Sequence, residues 1–203
     1  HSQSLYNMFA AIPGVKVVVP SNPYDAKGLL MSAIQEDNLV VFSEDKTLLG
    51  QKGNVPEEPY TIEIGKANVT REGDDLTIVA IGKMVAVAEE TAEKLAEDQV
   101  SVEVIDLRSV SPWDQETVLD SVKKTGRLIV IDESNPQCNI AGDVASVIGD
   151  VGFDYLDGPI KKVTAPDTPV PFAANLEAAY MPNADKVLDI ASELIDDLKK
   201  ANA

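Results

Sequence analysis

The 203-residue sequence contains one cysteine, one histidine and one tryptophan, and half as many basic side chains (17) as acidic ones (34). The single thiol, Cys138, excludes an intrachain disulfide framework and a cysteine-rich metal site, and it fits a reducing cytosol. With the only histidine far away in sequence, Cys138 reads as an ordinary small residue near a helix start rather than a nucleophile. A formal charge of −17 sets long-range repulsion against general binding to nucleic acid or anionic membranes, and neither is expected as a partner. A specific basic protein surface is easier to accommodate. No apolar run is long enough to span a bilayer and no signal-peptide pattern is visible, so the expected location is cytoplasmic. Phosphate-loop chemistry is also missing. Gly82-Lys83 lacks the upstream glycine of Walker spacing and a following Ser or Thr, and no GxGxxG follows any strand-like run.

What is present is organised around residues 76–133. Leu76-Thr-Ile-Val-Ala-Ile-Gly82 and Arg127-Leu-Ile-Val-Ile-Asp132 are short apolar β-branched runs, and Val100-Ser-Val-Glu-Val-Ile-Asp106 alternates. Between the first and the alternating run, Val85, Ala88, Ala92, Leu95 and Ala96 recur at helical spacing. A second helix is expected to open at Ser111-Pro112 and to close at Lys123-Lys-Thr-Gly126. The pattern is βαβαβ, with parallel strands whose two faces are both covered.

Ahead of this unit, Leu5, Met8, Phe9 and Ile12 predict a short helix stopped by Pro13-Gly14, and 15–19 a buried strand. Ser21-Asn-Pro23 caps a helix over 24–35, with Leu29, Leu30, Ala33 and Ile34 facing inward, and 39–42 is another strand. Residues 45–60, with Gly50, Gly53, Pro56 and Pro59, read as a linker, and 61–64 as a possible edge strand. After residue 133 come a helix near 140–148 and a strand at 160–164. Pro166, Pro169 and Pro171 then keep their segment out of helix, and Val187, Ile190, Leu194 and Leu198 mark a closing amphipathic helix. The opening His1-Ser-Gln-Ser4 lacks an initiator methionine and runs straight into an apolar segment, so the expectation is the interior of a longer protein.

Asp106, Asp132 and Glu133 stand at carboxyl ends of strands, where open parallel sheets place their sites. They are open to two readings, a magnesium or phosphoacceptor site like that of a receiver domain, or solvated strand ends and cap partners. The acidic pair Asp74-Asp75 precedes its strand rather than following it, which counts against a receiver. His1 is the one side chain that titrates near neutral pH unperturbed.

Read as a string, His1-Ser-Gln-Ser-Leu5, 12–30 (Ile-Pro-Gly-Val through Lys-Gly-Leu-Leu), 103–112, 121–126 and Val163-Thr-Ala-Pro-Asp-Thr-Pro-Val-Pro-Phe172 resemble the beta subunits of thiamine-diphosphate-dependent dehydrogenases that feed lipoyl multienzyme complexes. Asp132-Glu-Ser-Asn-Pro-Gln-Cys138 and Phe153-Asp-Tyr-Leu-Asp157 look most like the acetoin dehydrogenase branch, with the pyruvate dehydrogenase branch next. The resemblance implies a partial pyrimidine-binding-type α/β layer (1–44), a linker (45–64) and a three-layer α/β/α transketolase C-terminal-like domain with a mostly parallel sheet (65–203). It implies thiamine diphosphate and magnesium as cofactors, held mostly by residues outside this chain, which is expected to be inactive alone. The implied partners are an alpha subunit, in a heterotetramer of two alpha and two beta, a lipoyl acyltransferase core, and a second beta subunit through the C-terminal domain. His1 falls on the histidine of the family's His-Ser-Gln motif, which reaches the thiamine site; its imidazole can take or give the proton of the bound substrate's hydroxyl. Ala33, Ile34, Glu36 and Asn38 match positions whose carbonyls bind a structural potassium ion, with Leu39 where the family has proline. Asp157 matches an acidic position that meets the basic domain of the acyltransferase. A stand-alone α/β interaction module is the rival from another class.

Overall fold

The structure is a computed structural model that describes the backbone of residues 2–201 and side chains through Ile195. In chain order the elements are α1 (Tyr6–Ala10), β1 (Lys16–Val18), α2 (Pro23–Gln35), β2 (Val40–Phe42), β3 (Asn68–Arg71), β4 (Leu76–Ala80), α3 (Met84–Glu97), β5 (Val102–Asp106) and β6 (Ser109–Ser111). They continue with α4 (Gln115–Thr125), β7 (Leu128–Asp132), α5 (Ile140–Val151), a 3-10 turn (Phe153–Tyr155), β8 (Lys161–Thr164), α6 (Ala174–Tyr180) and α7 (Ala184–Ala201). Among the described residues no helix is long and apolar enough to cross a membrane.

A five-stranded sheet in the order β3-β5-β4-β7-β8 forms the centre, parallel throughout except for the edge strand β3. Its strands present alternate residues to opposite faces. Leu76, Ile78 and Ala80 of β4 join Ala88, Ala92 and Leu95 of α3 and Val187, Ala191 and Leu194 of α7. Val79 and Ile81 join Val118 and Val122 of α4 and Val144 and Ile148 of α5. This is the expected three-layer α/β/α arrangement. Thr77, fully buried on the α4 side, is satisfied by the hydroxyls of Ser121 (2.6 Å) and Thr125 (2.7 Å), so a polar residue sits in this core with its hydrogen bonds made.

The N-terminal elements do not build a core of their own. A second sheet has the order β2-β1-β6, with β1 parallel to β2 and antiparallel to β6, a strand from beyond the central β4 and β5. Tyr6, Val17 and Val19 enter the same apolar cluster as α4 and α5.

Four local expectations are corrected. Residues 61–64 form no strand, because the Ile62 N–H is taken by the Gly28 carbonyl (3.2 Å) and the Ser32 hydroxyl (3.1 Å); the edge strand is β3. The linker segment lies along α2, with the Tyr24 and Tyr60 rings stacked at 4.6 Å. α4 does not open at Ser111-Pro112. The Ser111 hydroxyl donates to the Val15 carbonyl (2.9 Å) within the second sheet, and the cap is Asp114, which accepts from Thr117 N (3.2 Å). Of the inward set on α2 only Leu29 is buried, while Leu30 and Ile34 are 45% and 72% exposed. On α1 the apolar stripe Leu5, Met8, Phe9 and Ile12 is exposed and Tyr6 is buried instead. α6 is an element that the proline-rich run before it concealed.

The turn into β4 is set by Gly73, where an added Cβ would lie 2.1 Å from the carbonyl carbon of Val102 and 2.3 Å from the amide nitrogen of Glu103. Backbone cannot yield there as a side chain could. Gly73→Ala is expected to destabilise the fold by about 2 kcal/mol or more, read as a lowered urea midpoint. Gly50→Ala, which meets nothing within 4 Å, is the control and should leave the midpoint in place.

Candidate functional site

The carboxyl ends of β4 and β7 open into a cleft of about 400 Å³, walled by the N-terminal segment and by residues 43–47. Ser2, Gln3 and Ser4 form one side, Asp45 another, and Lys83 and Glu133 the floor. Lys83 and Glu133 are each placed by a strand end. Gly82, at φ +55, turns the chain sharply out of β4 so that Lys83 heads α3, and Glu133 directly follows β7. The Ser4 hydroxyl donates to Glu133 Oε1, and Glu133 Oε2 lies 2.7 Å from Lys83 Nζ. Lys83 Nζ also stands 3.0 Å from Asp45, whose other oxygen accepts from Thr47 N (2.7 Å) and Oγ1 (2.6 Å).

Burial and pairing compete over these groups. Burial pushes the Glu133 carboxyl above its ordinary pKa, against the opposing pull of Lys83. Burial also works against the Lys83 ammonium, but Glu133 and Asp45 outweigh it and hold that group above its usual pKa. For Asp45 the Thr47 and Lys83 contacts overcome burial and keep the carboxyl below the normal range.

The two other strand-end carboxylates are structural anchors. Asp132 accepts from the Tyr6 hydroxyl (2.5 Å), from Ser134 N (2.9 Å) and, more distantly, from Ala141 N (3.3 Å). Burial first, and the Asp132 charge second, keep the Tyr6 phenol well above its ordinary pKa. Asp106 accepts from the Ser21 hydroxyl and from Arg108 N (2.9 Å), and the Arg108 guanidinium pairs with the buried Asp25 at 2.6 Å. Asp106 and Asp132 are fully buried, so the receiver-like phosphoacceptor reading is excluded, and so is that of solvated strand ends. Among the described residues no group of three His, Cys, Asp or Glu side chains could hold a metal ion.

His1 lies outside the described residues, while the Ser2-Gln3-Ser4 that follow it line the cleft. Ala33, Ile34, Glu36 and Asn38 sit at the C-terminal end of α2 and are not among the residues that line the cleft. There the Ala33 carbonyl receives only a long 3.4 Å contact from Glu36 N, and the Glu36 carboxylate is engaged by Lys16 and by Asn38 Nδ2 (3.2 Å). Any cation held at this helix end would therefore be met by main-chain carbonyls rather than by the carboxylate. Asp157 is exposed beside α5, its amide bonded to the Gly126 carbonyl at 2.8 Å. It borders a groove of about 740 Å³ lined by Ala145, Gly149, Phe153, Pro159 and Ile160. Sequence reasoning found the strand-end acids but missed Tyr6, Ser21, Lys83 and Asp45. The one available signal was Lys83 directly after a strand-ending glycine.

Residues 65–187 match the family model described as "Transketolase, C-terminal domain", and residues 1–52 match "Transketolase, pyrimidine binding domain". Over 195 residues the chain is 54% identical to the acetoin:2,6-dichlorophenolindophenol oxidoreductase subunit beta of Bacillus subtilis (strain 168), covering 96% of this chain and 57% of that protein. It is 47% identical over 197 residues to the pyruvate dehydrogenase E1 component subunit beta of the same organism, covering 97% and 60%. A solved structure titled "Split gene transketolase, inactive beta4 tetramer" superposes with a TM-score of 0.80 at 24% identity, over 94% of this chain and 60% of that one, and so shares the fold. The chain spans less than two thirds of the length of these proteins.

Burial raises the Asp106 pKa to about 7, against the pull of Ser21 and the Arg108 N–H. A carboxyl held higher in the folded state binds a proton that the unfolded chain releases, so this group's stabilising effect is complete below about pH 4 and is lost as pH rises through about 7. Asp106→Asn keeps an acceptor for Arg108 N and a polar partner for Ser21. Unfolding free energies at pH 5 and pH 7.5 should show a smaller loss across that interval for the variant than for the parent, by an amount on the order of a kcal/mol or more. Equal losses would remove Asp106 as the source.

Proposed function

We propose, from the premise that this chain belongs to the transketolase C-terminal domain family, that it forms part of the beta subunit of a thiamine-diphosphate-dependent acetoin dehydrogenase. The observation that carries this reading is the 54% identity with an acetoin-oxidising beta subunit against 47% with a pyruvate-type one. In this reading residues 1–44 finish a pyrimidine-binding domain, 45–64 link, and 65–203 are the C-terminal domain. Thiamine diphosphate, when bound, supplies the carbon centre on which the central carbon–carbon bond of acetoin is broken, with acetaldehyde leaving and a two-carbon unit passing to a lipoyl group. The role that falls to this chain is to move the hydroxyl proton of acetoin at the His1 imidazole as that bond breaks. Magnesium and the diphosphate are assigned to the alpha subunit, as the family resemblance implies. The assembly is read as cytoplasmic, two alpha with two beta, the beta subunits meeting through their C-terminal domains.

The test joins this chain to the remaining N-terminal portion of the Bacillus subtilis acetoin-oxidising beta subunit, combines it with that enzyme's alpha subunit, and follows dichlorophenolindophenol reduction. Thiamine-dependent turnover with acetoin, and little with pyruvate, is the expected outcome. Preference for pyruvate would move the chain to the pyruvate dehydrogenase branch, and no turnover with either would leave a non-catalytic α/β module. Lower turnover when lithium replaces potassium is expected if the carbonyls of Ala33, Ile34, Glu36 and Asn38 hold potassium.

Asp157 and its groove are proposed as the docking surface for the basic domain of the lipoyl acyltransferase, in keeping with the acidic character of the chain. Asp157→Lys should weaken binding to the acyltransferase at least about tenfold, by surface plasmon resonance, and leave dye reduction with acetoin intact. Unchanged binding would discard the contact.

A further inference from the structure

We infer that Glu133 is a positioning residue that acts through Ser4 to hold the segment leading to His1 across the cleft. This rests on the acetoin dehydrogenase reading above and adds to it a role for a residue that has none there.

Residues 2–5 form no helix or strand, so no regular backbone ladder fixes them. The segment is fastened instead at two points to two consecutive residues at the end of β7. Tyr6 donates to Asp132 beneath the sheet end, and Ser4 donates to Glu133 in the cleft. For the attachment of α1 the Tyr6–Asp132 bond, with the burial of Tyr6, is sufficient. Glu133 does something that attachment does not require: it keeps a carboxylate in a largely buried place, with its side chain 9% exposed, and it needs Lys83 at 2.7 Å to remain there. Lys83 in turn bridges to Asp45 at 3.0 Å, so loop 43–47 is bound into the same network.

The result is a connected path, Asp45 to Lys83 to Glu133 to Ser4, that ends three residues after His1 in the chain. Proton transfer is sensitive to placement, and a misplacement of about 1 Å at a reacting group can cost on the order of a hundredfold in rate. Anchoring Ser4 restricts Ser2 and Gln3, which line the cleft beside it. Glu133 Oε1 accepts the Ser4 O–H, and the ammonium of Lys83 stands against the other carboxyl oxygen, opposing the effect of burial.

Two measurements test this, the first without any turnover. Hydrogen exchange of the peptide covering residues 2–8 in this chain should speed up at least about tenfold in Ser4→Ala and in Glu133→Ala, with melting temperatures close to the parent. Unchanged exchange in Ser4→Ala, the smaller of the two changes, overturns the tether whatever Glu133→Ala does to folding. In the dye-reducing assembly both single variants and the double variant should lower kcat for acetoin about tenfold or more with KM within about twofold, and the double variant should be no worse than the worse single, as for two ends of one contact. Additive losses, or a raised KM at full kcat, overturn the positioning role. His1→Ala in the same assembly separates the two levels. Full activity in that variant would refute the histidine assignment itself, whereas a large loss there with active Ser4 and Glu133 variants would refute only the tether.

Discussion

Two buried carboxylates hold this molecule together across its length. Asp106 and Asp132 close strands β5 and β7, which flank the central β4, and each reaches forward to the N-terminal elements, Asp106 to Ser21 and Asp132 to Tyr6. Burying a carboxylate is costly unless donors surround it, and here backbone N–H groups and hydroxyls do so. Apolar contact between the N-terminal layer and the α4–α5 face would be satisfied at several registers. A hydrogen bond of fixed length and angle is satisfied at one. The carboxylates therefore decide where α1 and α2 sit, and with them the walls of the cleft.

This dependence explains which parts of the fold could be read along the chain. β4, β5 and β7 are buried on both faces, so β4 and β7 are mainly apolar runs and β5 an alternating one, and the helices between them carry their own period. β6 is different. Ser109-Val-Ser111 is too short for a pattern, and its partner β1 lies about ninety residues earlier, so only the assembled structure reveals it. The orientation of α1 was misleading for a related reason. Its apolar stripe points to Leu5, Met8, Phe9 and Ile12, but a helix of five residues has little surface to bury, and the Tyr6–Asp132 bond sets which side faces in. On α2 the inward side is made by Asp25, Gly28 and Leu29, because Arg108 claims Asp25 and the segment 60–62 lies against Gly28.

The candidate site was legible only in outline. Strand-end acids are visible in a sequence, but whether they are solvated, metal-binding or structural depends on donors contributed from far along the chain. Tyr6 and Asp45 carry no motif that announces them. The exposed acidic groups and the buried ones have the same letters, and it is the position of a hydroxyl some 126 residues away that makes Asp132 an anchor. The family resemblance, by contrast, singled out His1 and Asp157 from strings of neighbours and needed no geometry.

The two layers also differ in independence. The five-stranded sheet has helices on both faces and two apolar clusters, whereas the N-terminal layer contributes to the α4–α5 cluster and has none of its own among the described residues. Leu29 and Val18 are its large fully buried side chains outside that shared cluster, while Leu30, Ile34 and Leu39 remain open to solvent. The same layer supplies β1, the Ser2–Ser4 wall and the α2 helix end. The cleft thus stands where the more self-sufficient layer meets the more dependent one, so the contacts that seat the N-terminal layer also fix the shape of the cleft.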